Sequence, residues 1–238
     1  MIRSILALLQ FCTVLPLGRS VDFDQFARRS YLYPLSGYVV GGLAGLVVLA
    51  VPDRAIGSAL GIGGILFLTG AHHLDGLLDL GDGLMAHGGT GERVRALLDR
   101  QVGTGALALG MTTLLIAYSG LISVAHPFFA LVAAEVLGRY SMALLTIFGR
   151  PFHEGIHGYL HERARPWFVL PASLLCLPLV LLTPEPMSLL AGAASGIVTA
   201  LLVLGTGYRL FGGINGDLVG ASHEMTRAVV LCVLALVS

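Results

Sequence analysis

The chain has no lysine: all fourteen of its basic residues are arginine. It is poor in charge of either sign. Only 12% of residues are charged, 55% are hydrophobic, and mean hydropathy is +0.85. A soluble domain averages about 25% charged residues, so this composition excludes an ordinary soluble enzyme and describes an integral membrane protein. Acidic and basic residues balance to a net charge of zero, which leaves no basic footprint for a nucleic acid. Cysteine is scarce too. Cys12, Cys176 and Cys232 lie far apart inside apolar runs, with neither metal-ligand spacing nor a disulfide framework. The N-terminal run MIRSILALLQFCTVLPLG has an early arginine but no small-x-small cleavage site after it. Its ~13 apolar residues are too few to span a bilayer, so a retained interfacial or re-entrant helix is expected.

Long apolar runs are what the sequence does have. Spans of about 20 residues are expected at Tyr33–Val51, Ala55–His72, Thr104–Val124, Phe128–Phe148, Trp167–Thr183, Ser188–Tyr208 and Glu224–Val237. The expected fold is all-α, a polytopic helical bundle of six to seven transmembrane helices forming a single domain over 1–238. Arginine is distributed unevenly between the loops. Arg19, Arg28 and Arg29 precede the first span. Arg93, Arg95 and Arg100 follow the second, Arg150, Arg163 and Arg165 the fourth, and Arg209 the sixth; the other side keeps Arg54 alone. This is a positive-inside pattern. It places every long polar loop, and the active site with them, at the cytoplasmic face of the cell membrane.

The densest charge lies in Ala71–Leu84, AHHLDGLLDLGDGL. Asp75, Asp79 and Asp82 are spaced i, i+4, i+7, which stacks them on one face of a helix. Carboxylates so close repel, and repulsion of ~1.4 kcal/mol is enough to raise a carboxylate's proton affinity tenfold. A hard oxygen-seeking cation such as Mg²⁺ or Mn²⁺ would relieve that repulsion and keep waters to exchange for substrate phosphates. The plain alternative is a solvated helix face.

Other loops add candidates. LDRQVGTG at Leu98–Gly105 carries Asp99, Arg100, Gly103 and Thr104 at a helix N-terminus, where free N–H groups favour phosphate. Glu135 and Arg139, at i, i+4 inside a span, form either a structural ion pair or a phosphate ligand. FGGINGDLVGASHE at Phe211–Glu224 offers Gly216 and Asp217 in a Gly-rich turn, Asp217 as a fourth carboxylate. Two other classes compete. HEGIH at His153–His157 matches the HExxH zinc-protease pattern, and Leu74-Asp75-Gly76 matches the LDG of intramembrane proteases. Against this, HExxH belongs on a helix, and here it lies in a Pro- and Gly-rich loop. A transporter would need polar groups through the membrane depth, whereas these carboxylates gather at one face.

HLDGLLDLGDGL at His73–Leu84 resembles the signature of the cobalamin synthase family, the adenosylcobinamide-GDP ribazoletransferases. FCTVLPL at Phe11–Leu17, YPLSGYVVG at Tyr33–Gly41, DRQVGTG at Asp99–Gly105 and GGINGDLVGASHE at Gly212–Glu224 are similar to further family motifs, so the likeness spans nearly the whole chain. Val14 and Gln101 stand where the family pattern has Arg, Asn215 where it has Thr, and Arg227 where it has Glu.

The resemblance implies an Mg²⁺-dependent phosphotransferase of the lipid bilayer. It would act on adenosylcobinamide-GDP and α-ribazole or its 5′-phosphate, in the last stage of vitamin B12 assembly, and it leaves a homo-oligomer open. Asp75, Asp79, Asp82 and Asp217 are the expected metal ligands. Asp82 is the candidate base and His73 a residue that orients a carboxylate. Arg100 and Arg139, with Asp99, Gly103, Thr104 and Gly216, are expected to meet the substrate.

Overall fold

The computed structural model describes residues 1–237. Its elements in order are α1 (Ile2–Cys12), α2 (Asp24–Ala27), α3 (Tyr33–Ala50), α4 (Arg54–Leu68), α5 (His72–Met85), α6 (Thr90–Leu97), α7 (Thr104–Ser123), α8 (Pro127–Phe148), α9 (Ile156–Arg163), α10 (Val169–Leu174), α11 (Pro178–Leu182), α12 (Pro186–Thr206) and α13 (Gly216–Val237). The architecture is all-α, as expected. The segments carrying α3, α7, α8, α12 and α13 are each long and apolar enough to cross a membrane. The α8 span is 89% buried and forms the axis; α7 and α12 are each 39% buried. On those two, Met111, Leu115, Leu201 and Leu202 are exposed, an apolar surface that suits lipid and not water.

Three expected spans change shape. The second ends at Leu68, where the chain bends by 94° into α5. Gly70 and Ala71 make that corner with φ of +62° and +56°, and a left-handed alanine costs about 1–2 kcal/mol. The fifth is broken into a 3₁₀ turn, α10 and α11, with Pro171 and Pro178 in the run, and it follows α9 at 93°. The last is longer than expected, 22 residues, because the Gly-rich GDLVGASHE segment is itself helical. The N-terminal apolar run forms the short helix α1.

The polar loops meet at one end of the bundle. Asp82 binds the start of α7, Gly76 packs on Asp217, and Ile214 pairs with Pro151. At the other end Arg54 donates to the Val124 carbonyl at 3.0 Å. Between the ends lies a fully buried ionic cluster. Arg139 Nε donates to Ser36 Oγ at 2.6 Å, and its Nη1 to Glu135 Oε2 at 3.2 Å and to His223 Nε2 at 2.8 Å. His223 is therefore protonated at Nδ1, which donates to Glu224 Oε1 at 3.3 Å. Arg227 bridges Glu224 and Glu135. Two guanidiniums face two carboxylates, so the cluster is balanced.

Candidate active site

Two glycines seat α5. A Cβ on Gly76 would lie 2.5 Å from the Asp217 carbonyl, and one on Gly81 would lie 2.5 Å from the Gly105 carbonyl. Only glycine lets α5 touch the backbones at the starts of α13 and α7 together. Its C-terminal carbonyls, Gly83 and Leu84, accept from Arg93 Nη1 at 3.2 and 2.7 Å, a cationic cap at the negative end of the helix.

The carboxylates then fall where the helical period puts them. Asp75 is exposed; Asp79, Asp82 and Asp217 are half-buried. Asp82 accepts from Gly103 N at 2.7 Å and Ala106 N at 2.9 Å. It caps α7, so the helix terminus expected to take phosphate already holds a carboxylate, and the Gly103 N–H is engaged. Two of the Asp82 lone pairs are thereby spent on the backbone, which leaves fewer for a substrate proton. Asp217 accepts from Asn215 Nδ2 at 2.6 Å, while Asn215 Oδ1 accepts from Leu218 N at 3.1 Å. Burial, then the charges of Asp217, Asp75 and Asp82, push the Asp79 carboxyl up from 3.8 to about 7. The four groups share one field. None of them is among the ion pairs of the described residues.

The other expected residues divide. Asp99, Arg100 and Thr104 are exposed beside the α7 start, with Asp99 Oδ1 accepting from Gln101 N at 3.0 Å. Gly216 is exposed at the first turn of α13. Arg139 is not available to a substrate phosphate: it is fully buried and tied to Glu135, Ser36 and His223. His73 is buried with its ring 4.6 Å from that of His223, so it contacts the ionic cluster and not a carboxylate of the acidic face. HEGIH does not form the metal-binding helix a zinc protease needs. His153 and Glu154 precede α9, and His157 Nε2 donates to the Gly149 carbonyl at 2.8 Å. Asn215, Arg93, Gly76 and Gly81 carry positioning roles that composition and spacing did not reveal. An Asn two residues before an Asp, opening a helix, is the one signal that could have flagged Asn215.

Whether this end suits a metal can be judged from the donors. Asp75, Asp79, Asp82 and Asp217 offer only oxygen and enter no ion pair among the described residues, and the charges of the other three add to burial in raising the Asp79 carboxyl. That donor set fits a hard divalent ion. His73, His223 and Glu224 lie closer together, with ligand atoms within 4.8 Å. Yet His223 is bonded at both ring nitrogens and Glu224 to Arg227, so a dication there would unbalance a sealed, neutral group.

A membrane-embedded helical bundle with an uncompensated acidic face at one end defines a polytopic membrane enzyme. Residues 4–235 match the family model described as cobalamin-5-phosphate synthase, and the chain belongs to that family, transferases of cobalamin biosynthesis. It is 37% identical to the adenosylcobinamide-GDP ribazoletransferase of Halorubrum lacusprofundi, covering 94% of this chain and 93% of the relative. It is also 37% identical to that of Deinococcus radiodurans, over 94% and 82%. With the Methanosarcina mazei protein of the same name identity is 32%, over 94% and 89%. No solved structure matches.

Proposed function

We propose that this chain transfers the adenosylcobinamide phosphate moiety from adenosylcobinamide-GDP to α-ribazole or its 5′-phosphate, releasing GMP. The observation that carries the reading is the set of four carboxylates on α5 and α13 that enter no ion pair among the described residues, combined with the substrates in the relatives' names. A ribose hydroxyl oxygen bonds to the phosphorus on the cobinamide side. The bond from that phosphorus to the bridging oxygen breaks, and GMP leaves with that oxygen. The hydroxyl proton passes to a carboxylate of the acidic face, where Asp75 and Asp79 keep more free lone pairs than the capping Asp82. Asp75, Asp79, Asp217 and the remaining lone pairs of Asp82 would hold Mg²⁺, which when bound neutralises charge on the diphosphate. Arg100 is the exposed guanidinium nearest in sequence to the α7 start and supplies a flexible phosphate contact.

The test is product analysis on purified protein with Mg²⁺, α-ribazole and adenosylcobinamide-GDP labelled in each phosphate. GMP and a cobalamin product are expected, with loss of turnover in EDTA and recovery on adding Mg²⁺. Release of GDP would refute the cleavage site, and no cobalamin product would refute the reaction. The arginine asymmetry supports a cytoplasmic acidic end. Cysteines placed at His87 and His161 on a cysteine-free background should resist an impermeant thiol reagent in intact cells; efficient labelling would reverse the orientation.

A further inference from the structure

A cavity of about 420 Å³ opens beside the acidic face. That volume lies within the roughly 300–1,000 Å³ of small-ligand pockets. Asp75, Asp217 and Gly216 belong to its wall, so whatever occupies it abuts the carboxylates. Phe11, Met142, Leu160 and Val219 give it an apolar lining.

Three side chains of this wall are buried and incomplete. His73 Nδ1, Thr146 Oγ1 and His157 Nδ1 each lack a hydrogen-bond partner among the described residues. The three residues are 8%, 0% and 4% exposed, and a buried polar atom ordinarily has a partner. His157 is the most definite of them. Its Nε2 donates to the Gly149 carbonyl at 2.8 Å, so the neutral ring keeps Nδ1 as a bare acceptor. Thr146 Oγ1 stands beside the Tyr33 hydroxyl, closes no hydrogen bond, and is able to give or to take one. Two other polar members of the wall are already engaged. Gln10 donates to the Arg19 carbonyl and accepts from Val21 N, both at 2.9 Å, and Thr69 Oγ1 donates to the Ile65 carbonyl at 2.9 Å. The reaction proposed above, on which this inference rests, uses none of the three incomplete atoms.

Two nucleosides compete for the cavity, since the corrin with its side-chain amides is far too large. In-line transfer sets the incoming α-ribazole hydroxyl and the departing GMP on opposite sides of the phosphorus, so the cavity takes only one of them. Both carry ribose hydroxyls, and the bases therefore decide. The benzimidazole of α-ribazole has no N–H: one ring nitrogen bears the ribose and the other is an acceptor. It would leave the His157 acceptor unpaired, which is costly in a buried site. Guanine offers N1–H and a 2-amino group as donors, with O6 and N7 as acceptors, and so answers donor and acceptor atoms alike. We infer that this cavity holds the guanine of adenosylcobinamide-GDP, with His157 Nδ1 accepting from an N–H of the base. Asp75 and Asp217 then face the diphosphate through the Mg²⁺ assigned to them above, and their charge does not oppose the nucleotide.

Thr146→Val keeps the shape of the side chain and removes only the hydroxyl; His157→Phe removes the acceptor. Equilibrium dialysis of labelled GMP against the purified full chain with Mg²⁺ reads both. Wild type should bind GMP at least ~tenfold more tightly than AMP, whose N1 is a bare acceptor and has no proton for His157. Excess α-ribazole should not displace GMP. Each variant should weaken GMP about tenfold, the effect of one lost hydrogen bond, and leave the KM for α-ribazole within about twofold. Thr146→Val should melt close to wild type, because its hydroxyl closes no bond within the protein. If His157→Phe does not accumulate, having also lost the Gly149 contact, Thr146→Val decides. Equal binding of GMP and AMP, displacement of GMP by α-ribazole, or unchanged GMP binding in a folded variant overturns the assignment. GMP binding is measured without turnover, so a wild-type chain that makes no cobalamin product refutes the reaction itself and is read separately.

Discussion

Two charged regions of this molecule answer the membrane in opposite ways. In the middle of the bundle, Glu135, Arg139, Glu224 and Arg227 are fully buried, and each charge has its partner. At one end, Asp75, Asp79, Asp82 and Asp217 are partly open and have no cation among them. Ionisable residues in a span are functional candidates by default, and by that rule the buried cluster is the more suspicious of the two. The comparison teaches a finer criterion: sealed and neutral charge holds helices together, while open and unbalanced charge awaits a ligand.

The largest expected effect separates the regions through stability. Arg227→Met leaves Glu224 and Glu135 short of a partner in a dry core, and breaking a buried pair costs about 3–5 kcal/mol. The variant should lose most of its folded yield or melt well below the wild type. A fluorescence-detected melt of detergent-solubilised protein measures this. A variant with wild-type melting and lost activity would move the cluster from structure to chemistry.

The next effect lies at the acidic end and is the reverse. Asp79→Asn keeps size and removes charge. Turnover should fall at least ~100-fold, as when a charge-stabilising group is withdrawn from a transition state. Melting should not drop, because the substitution relieves repulsion from Asp75, Asp82 and Asp217. Retained turnover, or a large loss of stability, would erase the distinction between the two regions.

How far the sequence reveals this depends on the range of each interaction. The i, i+4, i+7 spacing of Asp75, Asp79 and Asp82 is local to one helix, and the structure keeps it. The spans of α3, α7, α8 and α12 are visible because hydropathy over about 20 residues is itself the cause of insertion. What was hidden is set by contacts distant in sequence. Asp82 reaches Gly103 and Ala106 across 21 and 24 residues, and nothing in LDLGDGL announces a cap for another helix. Arg139 carries the same guanidinium whether it faces phosphate or His223, 84 residues away. The corner at Gly70–Ala71 was hidden because hydropathy does not register backbone dihedrals.

A smaller effect follows from the Asp79 carboxyl at about 7. A metal needs the carboxylate, and protons compete for it. Apparent Mg²⁺ affinity should be flat above pH 7 and fall about tenfold per pH unit below it, as one proton is displaced on binding. The linkage sign for the metal-free protein is opposite to the usual acidic case. The folded pKa is raised above the ordinary 3.8, so between pH 4 and 7 the folded state holds the extra proton, and stability rises as pH falls through that window. Calorimetric Mg²⁺ titrations at pH 6 and 8 check the first statement, and melts in EDTA the second. Pure pH-independence would mean that Asp79 does not share the metal.

The smallest expected effect concerns a third group, one that resembles a site by pattern and touches the acidic end only through the charge of His153 on Asp217. His153 and Glu154 are exposed or nearly so and precede α9, whose first residue is Ile156. In a zinc site both histidines of HExxH would turn their ring nitrogens toward one ion from one helix face. Here His157 Nε2 is committed to the Gly149 carbonyl at 2.8 Å, and His153 stands outside the helix altogether. Glu154→Ala removes an exposed side chain with no ion-pair partner among the described residues, and surface changes of that kind stay within about 0.5 kcal/mol. Turnover and melting should both lie within twofold and a few degrees of wild type. A Glu154→Ala protein that folds but has lost activity, restored by zinc and not by Mg²⁺, would place the chemistry in the HEGIH loop and return the acidic face to a solvated helix surface.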